Sequence, residues 1–256
     1  YRRDDMRNYL IQDMQRLILG LRPRTVMLEN VPRLAIKGKG LFDEFIEALT
    51  SAGYHCDYCV FEAADFGVPQ TRRRLVLVAG DGFDVSLPKP THSKEGQAGL
   101  TKWVPVKTIL KGLGRAVTLE KANEDEGPQA RNWHVVRTMS AQNQKRLKMA
   151  LPGKTWRHIP EHLRPQCHKG AYQGFSNVYG RMSQNAVSPT ITGGCTTLSK
   201  GRFGHPTAQR TISVREAARI QTFPDEFVFE TPYMDRACQI IGNAFPCLFA
   251  QRIAEA

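Results

Sequence analysis

The stretch LRPRTVMLENVPRL, residues 21–34, decides the fold. Pro23 ends any helix before it and Pro32 breaks the chain after it, so TVMLEN between them reads as one short apolar strand. Upstream, Arg7 to Leu19 carries apolar residues near helical spacing. Downstream, LFDEFIEALTSAG puts Leu41, Phe42, Phe45, Ile46 and Leu49 on one helical face, with Gly53 as the stop. YHCDYCVF and RRLVLVAG supply two further strands, the second ended by Gly80 and Gly82. Helix and strand alternate at βαβ spacing, which predicts a layered α/β unit.

The chain has 256 residues, 41% of them hydrophobic, enough for a sizeable core and against disordered or collagen-like classes. It has no run of about 18 apolar residues, so no membrane span is expected. Six cysteines at irregular spacings suit free thiols in a reducing compartment. The net charge of +12 is unevenly placed. Residues 1–84 hold 12 basic and 12 acidic residues, residues 85–205 hold 19 and 6, and residues 206–256 hold 5 and 6. A charge concentrated in one block points to a phosphate-facing module there. That block is rich in Gly, Pro, Lys, Gln, Asn and His, and reads as an irregular second domain. The last block regains order: Ser213 and Glu216 make a capping box ahead of VREAARIQ, and Pro246 sits near the first turn of a terminal helix.

Chemistry-bearing residues cluster at the ends of these elements. Glu29 closes an apolar strand, the edge at which α/β proteins bind ligands. Beside apolar neighbours its pKa is expected to rise, which would let it donate or hold a proton. Asn30 is placed to fix the turn by bonding its own backbone. In QTRRR, strand alternation puts Arg72 and Arg74 on one side and Arg73 on the other, and two inward guanidiniums need acceptors. Gly242–Asn243 reads as a tight turn before a helix. CDYC at Cys56–Cys59 has no second pair at metal-ligand spacing, and residues three apart on a strand face opposite ways. Cys167 with His168 is similarly isolated.

Taken in order, DMRNYL, LRPRTVMLENVPRL, FGVPQTRRR, RTISVREAARIQTFPDEF and QIIGNAFP resemble the C-terminal two-thirds of a bacterial DNA cytosine-5 methyltransferase of the restriction–modification type. The resemblance implies an α/β fold: a partial Rossmann-like S-adenosylmethionine-dependent methyltransferase domain with a smaller, irregular target-recognition domain. Residues 1–84 would be the C-terminal half of the catalytic α/β domain, 85–205 the basic recognition domain and its junction, and 206–256 the C-terminal motifs returning to the catalytic domain. Duplex DNA is the implied partner, held with the target cytosine flipped out. A cysteine thiolate would add to C6 of that base, which makes C5 nucleophilic enough to take the methyl group. Glu29 would then engage N3 and the exocyclic amine, and Arg74 the O2 edge. Arg72, and Gln70 with it, would support them, Arg72 toward a backbone phosphate or neighbouring site residues. Leu10 would pack on the cofactor adenine and Asn243 would contact the cofactor near its methionine end. Arg215 and Glu216 lie in the motif that braces the two domains. Arg181, Thr190 and Thr192, near the end of the recognition domain, are the candidate DNA contacts.

The departures from the family pattern are as informative. The glycine-rich DxFAGxGG loop, the acid for the cofactor ribose and the PCQ motif bearing the nucleophile are all missing from the sequence. Cys247 follows a proline but lies after the GNA motif, on the wrong side of the motif order, and is rejected as the nucleophile. Opening on Tyr1 rather than Met, the chain is expected to be a piece of a longer methyltransferase. The alternatives are the C-terminal subunit of a split enzyme, whose partner carries the missing half, and a non-catalytic DNA-binding relative. In either enzyme reading the chain alone is expected to be inactive. It is otherwise expected to be a monomer, in the bacterial cytoplasm and on the nucleoid through DNA.

Overall fold

The computed structural model of the chain describes residues 9–97, 99–170 and 174–256. The first two-thirds of DMRNYL therefore lies outside the described residues. The chain enters helix α1 (Leu10–Leu21), strand β1 (Thr25–Asn30), the short helix α2 (Arg33–Lys37), helix α3 (Lys39–Ser51) and strands β2 (Tyr54–Glu62) and β3 (Arg73–Asp81). Phe42, Phe45 and Leu49 are the buried face of α3, with Leu41 and Ile46 packed at its margin, and Gly53 leaves the helix at φ +93°. Glycine adopts that left-handed conformation without steric cost.

The strands are ordered β1–β3–β2, both pairs antiparallel, with Thr25 opposite Gly80 and Tyr54 opposite Asp81. β1 and β2 thus run parallel, joined by helices as the βαβ spacing predicts, but β3 enters between them. Its direction comes from chain length. Only the ten residues 63–72 separate β2 from β3, whereas a parallel crossover needs about a dozen or more. As the central strand β3 is buried from Leu75 to Gly80. One face of the sheet, with Val26, Leu28, Leu75 and Leu77, packs on α1 and α3. The other, with Val76 and Val78, is covered from the far end of the chain by Phe249 and Ile253. Truncating a fully buried leucine such as Leu49 to alanine typically costs about 2–5 kcal/mol.

The middle of the chain is held in short pieces. Two-residue parallel pairs join β4 (His92–Ser93) to β5 (Thr101–Lys102) and β6 (Val117–Thr118) to β7 (Val135–Val136). Between them lie helices α4 (Val106–Ile109) and α5 (Leu119–Glu124), and α6 (Ala141–Met149) follows β7. The chain closes with α7 (Val214–Ile220), α8 (Met234–Asn243) and α9 (Cys247–Ala254). The largest core runs across residue 205, where a domain boundary was expected. Val106, Ala122, Trp133 and Val135 share it with Ala217, Ile220, Ala237 and Ile241, so α7 and α8 pack with the basic block. Of the last three helices α9 is the one that packs on the sheet.

Two local features lock this arrangement. At the end of α8 the backbone of Gly242 presses on Thr192–Gly193, so closely that a methyl group there would lie 2.1 Å from the Gly193 nitrogen. At the start of α7 the capping box forms: Ser213 Oγ accepts from the Glu216 N–H at 3.0 Å, and the Glu216 carboxylate accepts from the Ser213 N–H at 2.7 Å. Arg210 grips the same carboxylate through two nitrogens, each at 2.7 Å. Burial pushes Glu216 up, but Arg210 and His205 outweigh it and hold the group well below the usual carboxylate range. Ser213 Oγ also lies 2.9 Å from His134 Nδ1, and burial holds that histidine below its ordinary range.

Gly242→Ala is expected to lower stability by about 3 kcal/mol, because backbone rather than a flexible side chain occupies the space. A thermal melt matching the parent chain contradicts this packing. Burial disfavours a proton on His134 in the fold, while the unfolded chain takes one up below about pH 6.5. Its contribution is therefore complete above that pH and is lost as the pH falls. The melting temperature should drop between about pH 7 and pH 5, and His134→Asn should flatten the drop. A melting temperature constant across that window contradicts the assignment.

Candidate functional site

Glu29 stands near the end of β1, opposite Val76. Arg74 lies two residues earlier on β3 and so on the same face, at the diagonal distance long side chains bridge. Its Nε sits 2.5 Å from Glu29 Oε1, with the Arg74 side chain 15% and the Glu29 side chain 28% exposed. The carboxylate is thus paired with a cation instead of being left among apolar neighbours. Asn30 Oδ1 accepts from the Val31 N–H at 2.8 Å and fixes the turn out of the strand. Arg74 also donates from Nη1 to the Arg73 carbonyl at 2.8 Å. Among the described residues, Arg74 Nη2 and Glu29 Oε2 are engaged by no further hydrogen bond, and both groups reach solvent.

Arg72 takes a different direction from the one strand alternation suggests. It precedes β3, its residue is 3% exposed, and it donates to the carbonyls of Ile191 (3.0 Å), Gly242 (3.2 Å) and Ala244 (3.0 Å). Burial, and then the nearby charge of Arg74, lower its pKa to about 10, with Glu29 acting the other way. Placed inside and spent on carbonyls, it is a clamp and reaches neither a base nor a phosphate, which corrects its assignment as a catalytic residue. Gln70 completes the clamp. Its Oε1 accepts from the Ile191 N–H at 3.1 Å and its Nε2 donates to Gln221 Oε1 at 2.5 Å. Gln221 in turn donates to the carbonyls of Ile241 (2.6 Å) and Ala244 (3.0 Å). Both glutamines are fully buried. The partnership of Gln221 was missed in the sequence. The one signal was a polar residue four places after Ala217, on the buried stripe of α7.

The remaining candidates divide. Thr190 donates its hydroxyl to the Thr71 carbonyl at 2.6 Å, so it laces the 188–190 segment to the arginine motif. Thr192 is exposed and, through Gly193, lies against Gly242. Asn243 is exposed beside it, as the last residue of α8 and not in a turn before a helix. Leu10, at the start of α1, is 63% exposed. Arg181 is buried, and all five of its N–H donors are taken: Nε by Ala150 O, Nη1 by His205 O and Ala208 O, Nη2 by Leu147 O and Gln209 Oε1. No donor is left for DNA, which corrects its reading as a contact residue. Cys56 is half-buried against the first core and Cys59 is exposed. Cys59 is level with Glu29 but two strands away, about 10 Å. Cys167 Sγ lies 3.1 Å from His168 Nδ1.

A sequence model of the C-5 cytosine-specific DNA methylase family matches residues 2–256. Among individual relatives, the Type II methylase M.HgiDII of Herpetosiphon aurantiacus is 34% identical over 251 residues, covering 96% of this chain and 68% of its own. The Type II methyltransferase M1.BsuMI of Bacillus subtilis is 31% identical, with 99% and 55% covered, and M1.HphI of Haemophilus parahaemolyticus is 32% identical, with 99% and 61% covered. This chain therefore spans between 55% and 68% of the length of these three relatives. In three dimensions it superimposes on a prophage-encoded DNA modification methyltransferase structure from Escherichia coli with a TM-score of 0.68 and 22% identity, over 98% of this chain and 73% of the other. The Entamoeba histolytica methyltransferase EhMeth gives a TM-score of 0.56 at 15% identity, over 98% and 68%. These likenesses establish a shared α/β fold. By the extent of the sequence match, this chain belongs to the C-5 cytosine-specific DNA methylase family.

Proposed function

We propose that this chain is the base-binding and DNA-reading part of a DNA cytosine-5 methyltransferase, which moves a methyl group from S-adenosylmethionine to C5 of a flipped-out cytosine within a specific duplex sequence. The Glu29–Arg74 pair carries this reading. Along its pairing edge cytosine offers a donor at the amine, then acceptors at N3 and O2. A carboxyl that accepts from the amine and shares a proton with N3, beside a guanidinium that donates to O2, matches that order. Arg74 Nη2 and Glu29 Oε2 are the atoms left over for the purpose.

The chemistry this edge supports is electronic. When a thiolate adds to C6, the new C–S bond pushes an electron pair toward N3, and a proton held there by Glu29 receives it. C5 would then take the methyl group as the donor's sulfonium–methyl bond breaks, its own proton would pass to water or a base, and the thiolate would leave as the C5–C6 double bond re-forms. S-adenosylmethionine supplies the electrophilic methyl group. Exposed Leu10 offers an apolar surface suited to an adenine face, and exposed Asn243 an amide for a polar edge. This donor set fits part of such a cofactor, and the glycine-rich loop of the family is not in the sequence. None of the thiols is held against the Glu29–Arg74 pair, so the nucleophile belongs to a polypeptide segment matching the part of the relatives outside this chain. Leu17 and Leu21 of α1, Met27 of edge strand β1 and Ile36 of α2 are exposed apolar side chains that such a segment would cover. The relatives' designation as Type II methylases and methyltransferases supports a role in DNA modification, and a place in the bacterial cytoplasm, on DNA, is part of the same proposal.

The purified chain, given duplex DNA and methyl-labelled S-adenosylmethionine, is expected to transfer no label. Incorporation above a protein-free blank contradicts the assignment of the nucleophile. In an enzyme completed with the missing segment, Glu29→Gln should lower turnover by about 100-fold or more while DNA affinity changes less than about threefold. Unchanged turnover removes Glu29 from the mechanism.

A further inference from the structure

We infer that the basic middle of the chain grips the duplex backbone with lysines, centred on α6 and Lys200, while most of its arginines are engaged within the protein. This rests on the reading of the chain as one that acts on DNA. Residues 85–205 contain eleven lysines and eight arginines, and every one of those lysines is exposed. The arginines are mostly engaged within the protein. Arg131 pairs with Asp125 and Arg137 with Asp235. Arg146 donates to the Leu163 carbonyl (2.7 Å), Arg164 to Ile159 (2.9 Å) and Arg202 to Gly153 (2.7 Å), while Arg181 spends all five donors inside.

Each side chain suits its place. A planar guanidinium presents donors at fixed angles and can stitch carbonyls of a region that lacks long ladders. A lysine ammonium is a compact, hydrated charge on a flexible stem, which meets phosphates without demanding one geometry.

The lysines are also placed together. Lys145 and Lys148 are three residues apart on the exposed side of α6, and Leu147 between them is buried. Leu147 packs with Leu198, which seats the Leu198–Lys200 turn against α6. The side chain of Lys200 passes Gly194 so closely that a methyl group there would lie 2.7 Å from Lys200 Cβ. Gly193, the preceding residue, abuts Gly242 at the clamp. Packing thus links α6 to the Leu198–Lys200 turn, and Lys200, through Gly194 and Gly193, to the neighbourhood of exposed Thr192 and Asn243. Among the described residues no ion pair engages Lys145, Lys148 or Lys200, whereas Lys102 pairs with Glu95 and Lys121 with Glu124 and Asp125.

Binding of the full chain to a duplex of about 30 base pairs, measured by fluorescence anisotropy over a range of salt concentrations, tests the inference. For the triple variant Lys145→Gln, Lys148→Gln, Lys200→Gln, the slope of log K against log salt should shrink by about 2 to 3. Affinity near 0.1 M salt should fall roughly 100-fold or more. The double variant Lys102→Gln, Lys121→Gln should keep the parent slope within about 0.5, and Arg181→Lys should lower the melting temperature without altering the slope. Thermal melts of the lysine variants matching the parent show that folding is not the cause. An unchanged slope in the triple variant overturns this inference alone. A parent chain that does not bind duplex DNA overturns the functional reading and this inference with it, and tighter binding to duplex RNA of the same sequence overturns the choice of partner.

Discussion

The structure depends on a guanidinium buried without a carboxylate partner. Arg72 is placed in the interior by the turn before β3, where its charge is costly unless its hydrogens are met. Three carbonyls meet the Nη1 and Nη2 hydrogens, Ile191 at the exit of the basic block and Gly242 and Ala244 at the end of α8, while buried Nε has no hydrogen-bond partner among the described residues. Those carbonyls also need donors, since the last turn of a helix leaves its own unsatisfied. Gln70 and Gln221 supply the rest and meet each other. Four segments, some more than 150 residues apart in the chain, are thereby fixed around one point. Removing a member of such a buried set typically costs about 3–5 kcal/mol, because its partners stay buried and unpaired. Glu29–Arg74 on one side and Thr192–Asn243 on the other are held in relation to each other by this clamp.

The same device recurs. Arg181 gathers carbonyls from the end of α6 and the 205–208 turn. Arg215 is fully buried and donates to the carbonyls of Asn132, Pro224 and Phe227. The basic block has few ladders, so its backbone carbonyls lack the partners that sheets and helices provide. Arginine, with five donors in one plane, supplies them economically. The excess positive charge in residues 85–205 thus has two main origins: arginines that bond within the fold, Arg146, Arg164, Arg181 and Arg202 among them, and lysines turned out. A count of charges along the sequence cannot separate them, because both add one to the total.

The legible part of the sequence is the part governed by periodicity and local chemistry. TVMLEN, RRLVLVAG and the apolar face of α3 declare themselves by pattern, and Ser213–Glu216 by a spacing that works within one helical turn. Glu29 at a strand end was legible for the same reason. The partner of Glu29 was not, because antiparallel entry of β3 is a matter of topology. Arg72 and Arg74 look equivalent in QTRRR, yet one precedes the strand and turns inward while the other lies within it. Arg181 looked available for DNA because five surrounding acceptors, drawn from segments up to 34 residues away, are invisible to a linear reading. The GNA residues extend α8 because the small side chain at Gly242 permits close approach to Gly193 before the chain leaves the helix.

In the proposed function Glu29 and Arg74, held by the clamp, recognise the pairing edge of cytosine. Its most direct test is the affinity of the chain for duplexes that differ in one unpaired base, cytosine or uracil, since uracil reverses donor and acceptor at the amine and N3 positions. A matched polar edge is worth about 1–3 kcal/mol, so cytosine should be preferred by roughly tenfold, and Glu29→Gln should abolish the preference. Equal affinity of the parent chain for the two bases removes cytosine recognition from Glu29 and Arg74.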